Sequence, residues 1–120
     1  MTLALETTAL QIQLQLEGDW VAVCDADTLL PGRGVAVLLP DGRQAALFRD
    51  RSGVVYAIDN RDPFTGASVL SRGLLGSHQG RSFVASPLLK QRFDLASGKC
   101  LDDETVEVAT YEVRHAGVAA

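Results

Sequence analysis

The stretch VAVLLPDGRQAALFRDRSGVVYAI, residues 35–58, decides the fold class. It contains three short runs rich in apolar and β-branched residues, and turn-forming residues fill the gaps at 40–43 and 49–53. Runs of this length separated by turns predict an antiparallel meander of three strands. Helical periodicity is weak in the rest of the chain as well, so the sequence predicts an all-β sandwich or barrel.

The residues before the meander continue this pattern. Residues 11–16 alternate strictly between glutamine and an aliphatic residue, which predicts a strand with one amide face and one aliphatic face. We expect an edge strand, or alternatively an extension that becomes ordered only against a partner. Trp20 begins the next strand, and we expect it to anchor the core because a large ring at a strand start is a common packing device.

The residues after the meander differ in character. Residues 59–80 are polar and glycine-rich, and a long loop of this kind inside a compact domain is usually functional. A second loop is predicted at residues 86–91, followed by a hairpin around residues 96–98.

The last predicted strand, residues 106–114, changes phase along its length. Val106 and Val108 share one face, whereas Tyr111 and Val113 share the other. This flip predicts a bulge or a bend near residues 109–110. The small residues at 116–120 predict a frayed tail.

Size and charge exclude several classes of protein. The 120 residues fit one domain, and the formal charge of 11 − 15 = −4 argues against a nucleic-acid binder. Cys24 and Cys100 form no CxxC pair and cannot supply a four-thiolate metal site. The N-terminus lacks the basic region of a signal peptide, and no apolar run approaches the roughly 18 residues of a membrane span. We therefore expect a cytoplasmic protein with no membrane or nucleic-acid partner.

The two loops carry a family resemblance. Asp62-Pro63-Phe64, Ser86-Pro87-Leu88-Leu89 and the Phe93-Asp94 hairpin resemble the corresponding segments of a Rieske domain of the iron–sulfur-protein type. The resemblance covers residues 20–114. It implies an antiparallel β-sandwich or barrel in which the two loops meet at one tip. We expect an N-terminal extension at 1–18, a Rieske-like domain at 19–115 and a tail at 116–120.

The sequence departs from the Rieske pattern at all four cluster ligands. The resemblance aligns Asp62 and Phe64 with the first Cys and His, and Ser86 and Leu89 with the second pair. A Rieske cluster needs two thiolates and two imidazoles. Two of these side chains have no donor atom, and the other two are hard oxygen groups that replace thiolate poorly. We therefore predict no metal and no cofactor in this chain.

A more specific resemblance links several stretches in one order to a cluster-free group of Rieske-like proteins, the small subunits of assimilatory NAD(P)H-dependent nitrite reductases. The similar stretches are residues 20–24, 31–36, 59–64, 69–73, 84–91 and 98–103. This resemblance implies a large-subunit partner that carries siroheme, FAD, an iron–sulfur cluster and the NAD(P)H site. It also implies a supporting role in the reduction of nitrite to ammonium during nitrate assimilation.

Three other functions remain open on the sequence. They are a Rieske-type ferredoxin that carries electrons, a generic interaction module of another oxidoreductase, and an enzyme that uses Asp62 as a catalytic carboxylate. Against the third, an Asp-Pro pair more commonly starts a turn in which the side chain bonds to backbone. Residue spacing indicates no catalytic set, so we predict no catalytic residues, and whether the isolated chain is an enzyme stays open.

A docking surface is predicted around the two loops. Phe64 and Leu89 either pack against each other, filling the volume of a cluster, or contact a partner. Basic residues concentrate near the loops of this acidic chain, where they form either a docking patch or a solvated rim. The docking candidates are Arg61, Phe64, Arg72, Leu89, Lys90 and Arg92, and Arg81 is a further basic residue of the same region.

Overall fold

The computed structural model describes residues 8–119, which form ten strands and two single-turn 3₁₀ helices. The strands are β1 (Thr8–Leu16), β2 (Asp19–Asp25), β3 (Gly34–Leu38), β4 (Gln44–Arg49), β5 (Val55–Asp59), β6 (Leu74–His78), β7 (Arg81–Ala85), β8 (Arg92–Asp94), β9 (Thr110–Tyr111) and β10 (Val113–Ala119). The 3₁₀ helices are η1 (Ala26–Thr28) and η2 (Leu70–Arg72). The predicted all-β class is confirmed. No helix within residues 8–119 has the length and apolarity to cross a bilayer.

Strand β4 occupies the middle of the fold because both of its faces are buried. Ala45 and Leu47 pack into a first core with β1, and Ala46 and Phe48 pack into a second core with β7 and β8. The sheet β3-β4-β5-β9 is therefore a central layer, with β10-β1-β2 over one face and β6-β7-β8 over the other. The antiparallel meander predicted over residues 35–58 is confirmed as β3, β4 and β5.

The strand predicted at residues 11–16 is present, but its predicted edge position is wrong. β1 lies between β10 and β2 and pairs with both. Its aliphatic side chains Ile12 and Leu14 are fully buried in the first core. Alternation predicts which face of a strand is buried, but it says nothing about how many neighbours the backbone has.

The expectation that Trp20 anchors the core is wrong. Trp20 pairs with Gln15, and directly opposed residues of an antiparallel pair share a face. That face is the amide face of β1, opposite to buried Leu14. The indole stacks under the guanidinium of Arg114, whose Cζ lies 4.4 Å from the ring centroid, and Arg114 Nε donates to Gln13 Oε1 at 2.7 Å. Register therefore places this ring on the outer surface of the sheet.

The long loop predicted at residues 59–80 is shorter than expected. It contains η2 and the whole of β6, which pairs with β7 from Leu74↔Ala85 to His78↔Arg81. Leu75 packs against the second core. The glycines of this segment suggested a loop, but a cross-strand partner and one partly buried side chain suffice to make it a strand.

The end of the chain bends as predicted. Val106 and Val108 pack against or within the second core, whereas Tyr111 and Val113 pack against the first, so the segment crosses from one core to the other. β10 then runs to Ala119 along β1. The frayed tail predicted at 116–120 is thus wrong over 116–119, because β1 supplies backbone partners to these small residues. Residues 1–7 and 120 lie outside the described residues, and the division at 18/19 and 115/116 stays a prediction.

Candidate functional site

The two loops named in the sequence meet in the structure. Loop 1, residues 60–69, follows β5, and loop 2, residues 86–91, follows β7. Asp62 and Ser86 are both fully buried where the loops touch, and Ser86 Oγ donates to Asp62 Oδ2 at 2.5 Å. This distance is at the short end of the range for a hydrogen bond between two oxygen atoms. We call the surface that these two loops present the tip.

Asp62 organises loop 1 through its own backbone and side chain. Its N–H donates to the carbonyl of Ala67 at 2.8 Å, and its carbonyl accepts from Gly66 N–H at 2.7 Å. Its Oδ1 accepts from Phe64 N–H at 2.9 Å. This agrees with the turn interpretation of Asp62, and the bond from Ser86 engages the other carboxylate oxygen. Both oxygens are therefore occupied inside the protein.

Loop 2 is closed at its base and open at its crown. Ser86 N–H donates to Gln91 O at 2.9 Å, and Lys90 N–H donates to Ser86 O at 3.1 Å. Lys90 has the positive φ of 66° that such a tight return requires. The crown between these bonds carries Leu88 and Leu89, which are 49% and 55% exposed. Sequence reasoning named Leu89 but missed Leu88, although the adjacent leucines within a turn were a signal for it.

Phe64 and Leu89, which the sequence analysis treated as a pair, have different surroundings in the structure. Phe64 is half-buried against the second core, with its ring centroid 6.2 Å from that of Phe93. It fills volume beneath the tip. Leu89 instead points to solvent, so the two side chains have different roles.

The basic residues near the loops fall into two groups, those that form ion pairs within residues 8–119 and those that do not. Arg81 forms a two-pronged ion pair with buried Asp94 at 2.8 and 2.7 Å. Arg92 forms one with Asp102 and lies over the ring of Phe83 at 5.6 Å. These two cations are already compensated within the fold. The other three are exposed and make no ion pair within the described part of the chain, and they are Arg61, Arg72 and Lys90.

Close packing on a glycine fixes the position of Arg61. Gly66 adopts φ +79°, and a Cβ placed there would lie 3.3 Å from Arg61 Nη2. The guanidinium therefore rests against the backbone of loop 1, and any side chain at position 66 would strain the turn and crowd this group. Arg61 thus contributes positive charge to the tip itself.

Asn60 supports the start of loop 1 and was missed by the sequence analysis as an organising residue. Its buried amide donates to Gln44 Oε1 at 2.9 Å and accepts from Ser71 N–H at 2.7 Å. It thereby ties the end of β5 to β4 and to η2, which carries Arg72. A polar amide directly after a strand was the available signal, but its partners lie 16 and 11 residues away in sequence.

One groove lies away from the tip and offers little chemistry. It has a volume of about 680 Å³ between the β4–β5 turn and the β6–β7 hairpin. The carboxylate that lines this groove, Asp50, accepts hydrogen bonds from Ser52, Val54 and Ser82. These bonds lower the pKa of Asp50, and the bond from the Ser52 hydroxyl contributes most. The carboxylate is engaged in holding its own turn. Burial raises the pKa of the Cys24 thiol, so this group is not an activated nucleophile either.

The fold and the meeting of the two loops define a Rieske-type domain. Residues 19–119 match the family described as "Rieske-like [2Fe-2S] domain". The chain is 52% identical over 96 residues to a nitrite reductase (NADH) small subunit from Salmonella typhimurium, covering 79% of this chain and 88% of that protein. The NMR structure of the Escherichia coli protein NirD has a TM-score of 0.71 and 46% identity, covering 85% of this chain and 98% of that one. Within the Rieske-like class, the chain belongs to the family of nitrite reductase (NADH) small subunits.

A further relative has a different length. The chain is 43% identical over 95 residues to a protein from Klebsiella oxytoca named "Nitrite reductase [NAD(P)H] large subunit". The match covers 79% of this chain but only 10% of that protein. A segment similar to this chain is therefore part of a much longer polypeptide in that organism.

The side chains at the ligand-equivalent positions do not fit the iron–sulfur cluster that the class name implies. Asp62 and Ser86 bond to each other, Phe64 packs into the protein and Leu89 faces solvent. Neither thiolate nor imidazole is available among them. Residues 8–119 hold no group of three or more His, Cys, Asp or Glu side chains arranged to bind a metal. The side chains at these four positions therefore do not fit an iron–sulfur cluster.

Proposed function

We propose that this chain is a small, cofactor-free subunit of a cytoplasmic NAD(P)H-dependent nitrite reductase. In this proposal it docks through its tip on a large subunit that holds siroheme, an iron–sulfur cluster, FAD and the NAD(P)H site. It supports the reduction of nitrite to ammonium in nitrate assimilation and catalyses no step by itself.

The observation that carries this proposal is the Klebsiella oxytoca relative. A segment 43% identical to this chain forms 10% of a protein named as a large subunit. Two parts joined in one polypeptide have a high effective concentration for each other. A separate chain of the same family needs an interface of its own to reach the same arrangement, which supports direct docking.

The chemistry of the tip supports its role as that interface. Leu88 and Leu89 expose adjacent apolar side chains. Lys90 follows them in loop 2 and Arg61 lies on loop 1, and neither cation forms an ion pair within the described chain. An apolar centre with a charged rim is typical of protein–protein contact surfaces. The complementary partner surface is an apolar depression with acidic residues around it.

The alternative of an electron-carrying ferredoxin has no support in the donor set, since no thiolate or imidazole stands at the ligand-equivalent positions. A ferredoxin would be coloured and would contain two irons per chain. We expect purified protein, expressed with iron and sulfide supplied, to lack visible absorbance and bound iron.

The docking experiment compares a double leucine variant with a single leucine variant at the opposite end of the central sheet. Leu88→Ser/Leu89→Ser changes the tip, and Leu30→Ser changes a leucine that is 53% exposed. Leu30 precedes Pro31, which bridges to Arg49, while loop 1 is tied to Gln44 at the other end of β4. The points on β4 to which these two regions are attached are thus about 15 Å apart.

Affinity for the nitrite reductase large subunit of the same organism is measured by calorimetry. We expect the tip variant to raise Kd at least about 30-fold, as loss of a central apolar contact does, and Leu30→Ser to leave it unchanged. Equal affinity of the tip variant and the native chain would refute docking through the tip. Absence of any binding by the native chain would favour a module of a different oxidoreductase.

A further inference from the structure

We propose that Asp62 and Ser86 are positioning residues that hold loop 2 in its docking conformation. The inference rests on the proposed function, because it assigns to a buried hydrogen-bonded pair the task of presenting Leu88 and Leu89. Neither residue contacts the partner in this account, since both are buried beneath the tip.

The Ser86 hydroxyl connects the two loops as both donor and acceptor. It donates to Asp62 Oδ2 at 2.5 Å and accepts from Leu88 N–H at 3.3 Å. Asp62 Oδ1 in turn accepts from Phe64 N–H at 2.9 Å. A continuous series of hydrogen bonds therefore runs from the backbone of loop 1 to the backbone that carries the exposed leucines.

Loop 2 has few other restraints on its crown. Leu88 and Leu89 are about half-exposed, and neither belongs to either core. The backbone bonds of Ser86 with Lys90 and Gln91 close the base of the loop. The bond from Leu88 N–H to Ser86 Oγ is the one that reaches the crown. Its acceptor keeps a fixed position because the hydroxyl is oriented by Asp62.

Pre-ordering of the crown affects docking directly. Fixing the backbone of a residue has a cost in conformational free energy. A loop that is already ordered avoids this cost when the partner arrives, so it binds more tightly with the same contacts. Removal of the Ser86 hydroxyl should therefore weaken binding even though no contact with the partner is lost.

The test uses Ser86→Ala, with Ser82→Ala as its matched control. Ser82 also donates from Oγ to an aspartate, reaching Asp50 Oδ2 at 3.2 Å, but it lies in β7 beside the β4–β5 turn. Both variants remove one serine–aspartate hydrogen bond from the same part of the chain. Only Ser86→Ala changes the support of loop 2. Ser86→Thr keeps the hydroxyl and serves as the rescue variant.

Two readouts are taken for each variant, Kd for the large subunit and hydrogen exchange of the Leu88 amide. For Ser86→Ala we expect Kd to rise about tenfold and the Leu88 amide to exchange about tenfold faster. We expect Ser82→Ala to change neither, and Ser86→Thr to restore most of the affinity. If Ser86→Ala does not fold, Asp62→Asn replaces it in the same comparison, because the amide has one acceptor oxygen where the carboxyl group uses two.

The outcomes separate this inference from the proposed function. If Leu88→Ser/Leu89→Ser weakens binding and Ser86→Ala does not, tip docking stands and the positioning role is overturned. Equal losses of affinity in Ser86→Ala and Ser82→Ala would also overturn it, because the effect would then be one of general stability. If the leucine variant binds like the native chain, the proposed function itself fails.

Discussion

Two aspartate–serine pairs, one near each end of β7, hold their surroundings in different ways. At the β4–β5 turn, Asp50 accepts mostly from its own turn, through Ser52 and Val54, and its bond from Ser82 is 3.2 Å long. At the tip, Asp62 is fully buried and receives a 2.5 Å bond from a loop 24 residues away in sequence. Hydrogen bonds within the β4–β5 turn hold that turn in place, whereas the two loops of the tip are held by a hydrogen bond between them.

This difference shows how the tip combines order with exposure. A turn that satisfies its own polar groups needs no distant partner. The tip places its polar groups inside, between the loops, and leaves apolar side chains outside. Burial of a bonded pair is stable only while both partners are present, so the tip is more sensitive to a single change than the turn.

The largest expected effect tests this sensitivity through Asp62→Ala and Asp50→Ala. Asp62→Ala removes the acceptor of the buried Ser86 hydroxyl and of the Phe64 N–H, and we expect a loss of about 3 kcal/mol in the free energy of unfolding. Asp50→Ala exposes its donors to water at a partly open turn, and we expect about 1 kcal/mol. Urea denaturation measures both. An Asp50→Ala variant as destabilised as Asp62→Ala would remove the contrast between the two ends.

The next largest effect concerns the ion pair between Arg81 of β7 and Asp94 of β8. The Arg81 guanidinium, with help from Ser97, holds the pKa of Asp94 at about 2, below its ordinary 3.8. A folded-state pKa below the unfolded value gives a stabilising contribution that is complete above about pH 4 and lost as the pH falls towards 2.

We therefore expect Asp94→Asn to lower the free energy of unfolding by about 2 kcal/mol at pH 7. The gap between this variant and the native chain should close between pH 4 and 2. Denaturant titrations at a series of pH values check this. A gap that stays constant down to pH 2 would contradict the assignment of the low pKa to Asp94.

A smaller effect distinguishes the cations at the two ends. Arg61 rests on loop 1, and Arg51 lies in the β4–β5 turn; both are exposed and make no ion pair within residues 8–119. We expect Arg61→Glu to weaken binding to the large subunit about fivefold at low salt and less at high salt. Arg51→Glu should have no effect. Equal effects would indicate attraction by overall charge instead of docking at the tip.

The smallest effect concerns the outer face of the sheet β10-β1-β2. Arg114→Ala removes the guanidinium from the indole of Trp20, and we expect a loss of about 0.5–1 kcal/mol in stability. Affinity for the large subunit should not change, since this face is remote from the loops. Thermal unfolding and calorimetry measure the two quantities. Weakened binding by this variant would assign the amide face a role in the interface.

The local part of the fold was predictable from the sequence, and the part that depends on distant partners was not. The meander, the two loops and the bend near residue 109 follow from turn residues and from alternation within short windows. The position of β1 between two strands and the outer position of Trp20 depend on register with residues that no local pattern identifies.

The candidate site shows the same division. Family resemblance identified Asp62, Phe64, Ser86 and Leu89 as related positions, and chemistry explained why they do not fit a cluster. The sequence does not show the bond between Asp62 and Ser86, the burial of Phe64 or the ion pair of Arg92, because each depends on residues that are distant in the chain. Charge in a sequence does not reveal whether a cation is already paired within the fold.

The most direct test of docking through the tip is hydrogen exchange of this chain, free and bound to the large subunit. We predict that binding slows exchange in loop 2, at residues 88–90, by at least about tenfold, and leaves the β4–β5 turn at residues 50–54 unchanged. Protection of the β4–β5 turn or of the sheet β10-β1-β2, with loop 2 exchanging at its free rate, would contradict the account.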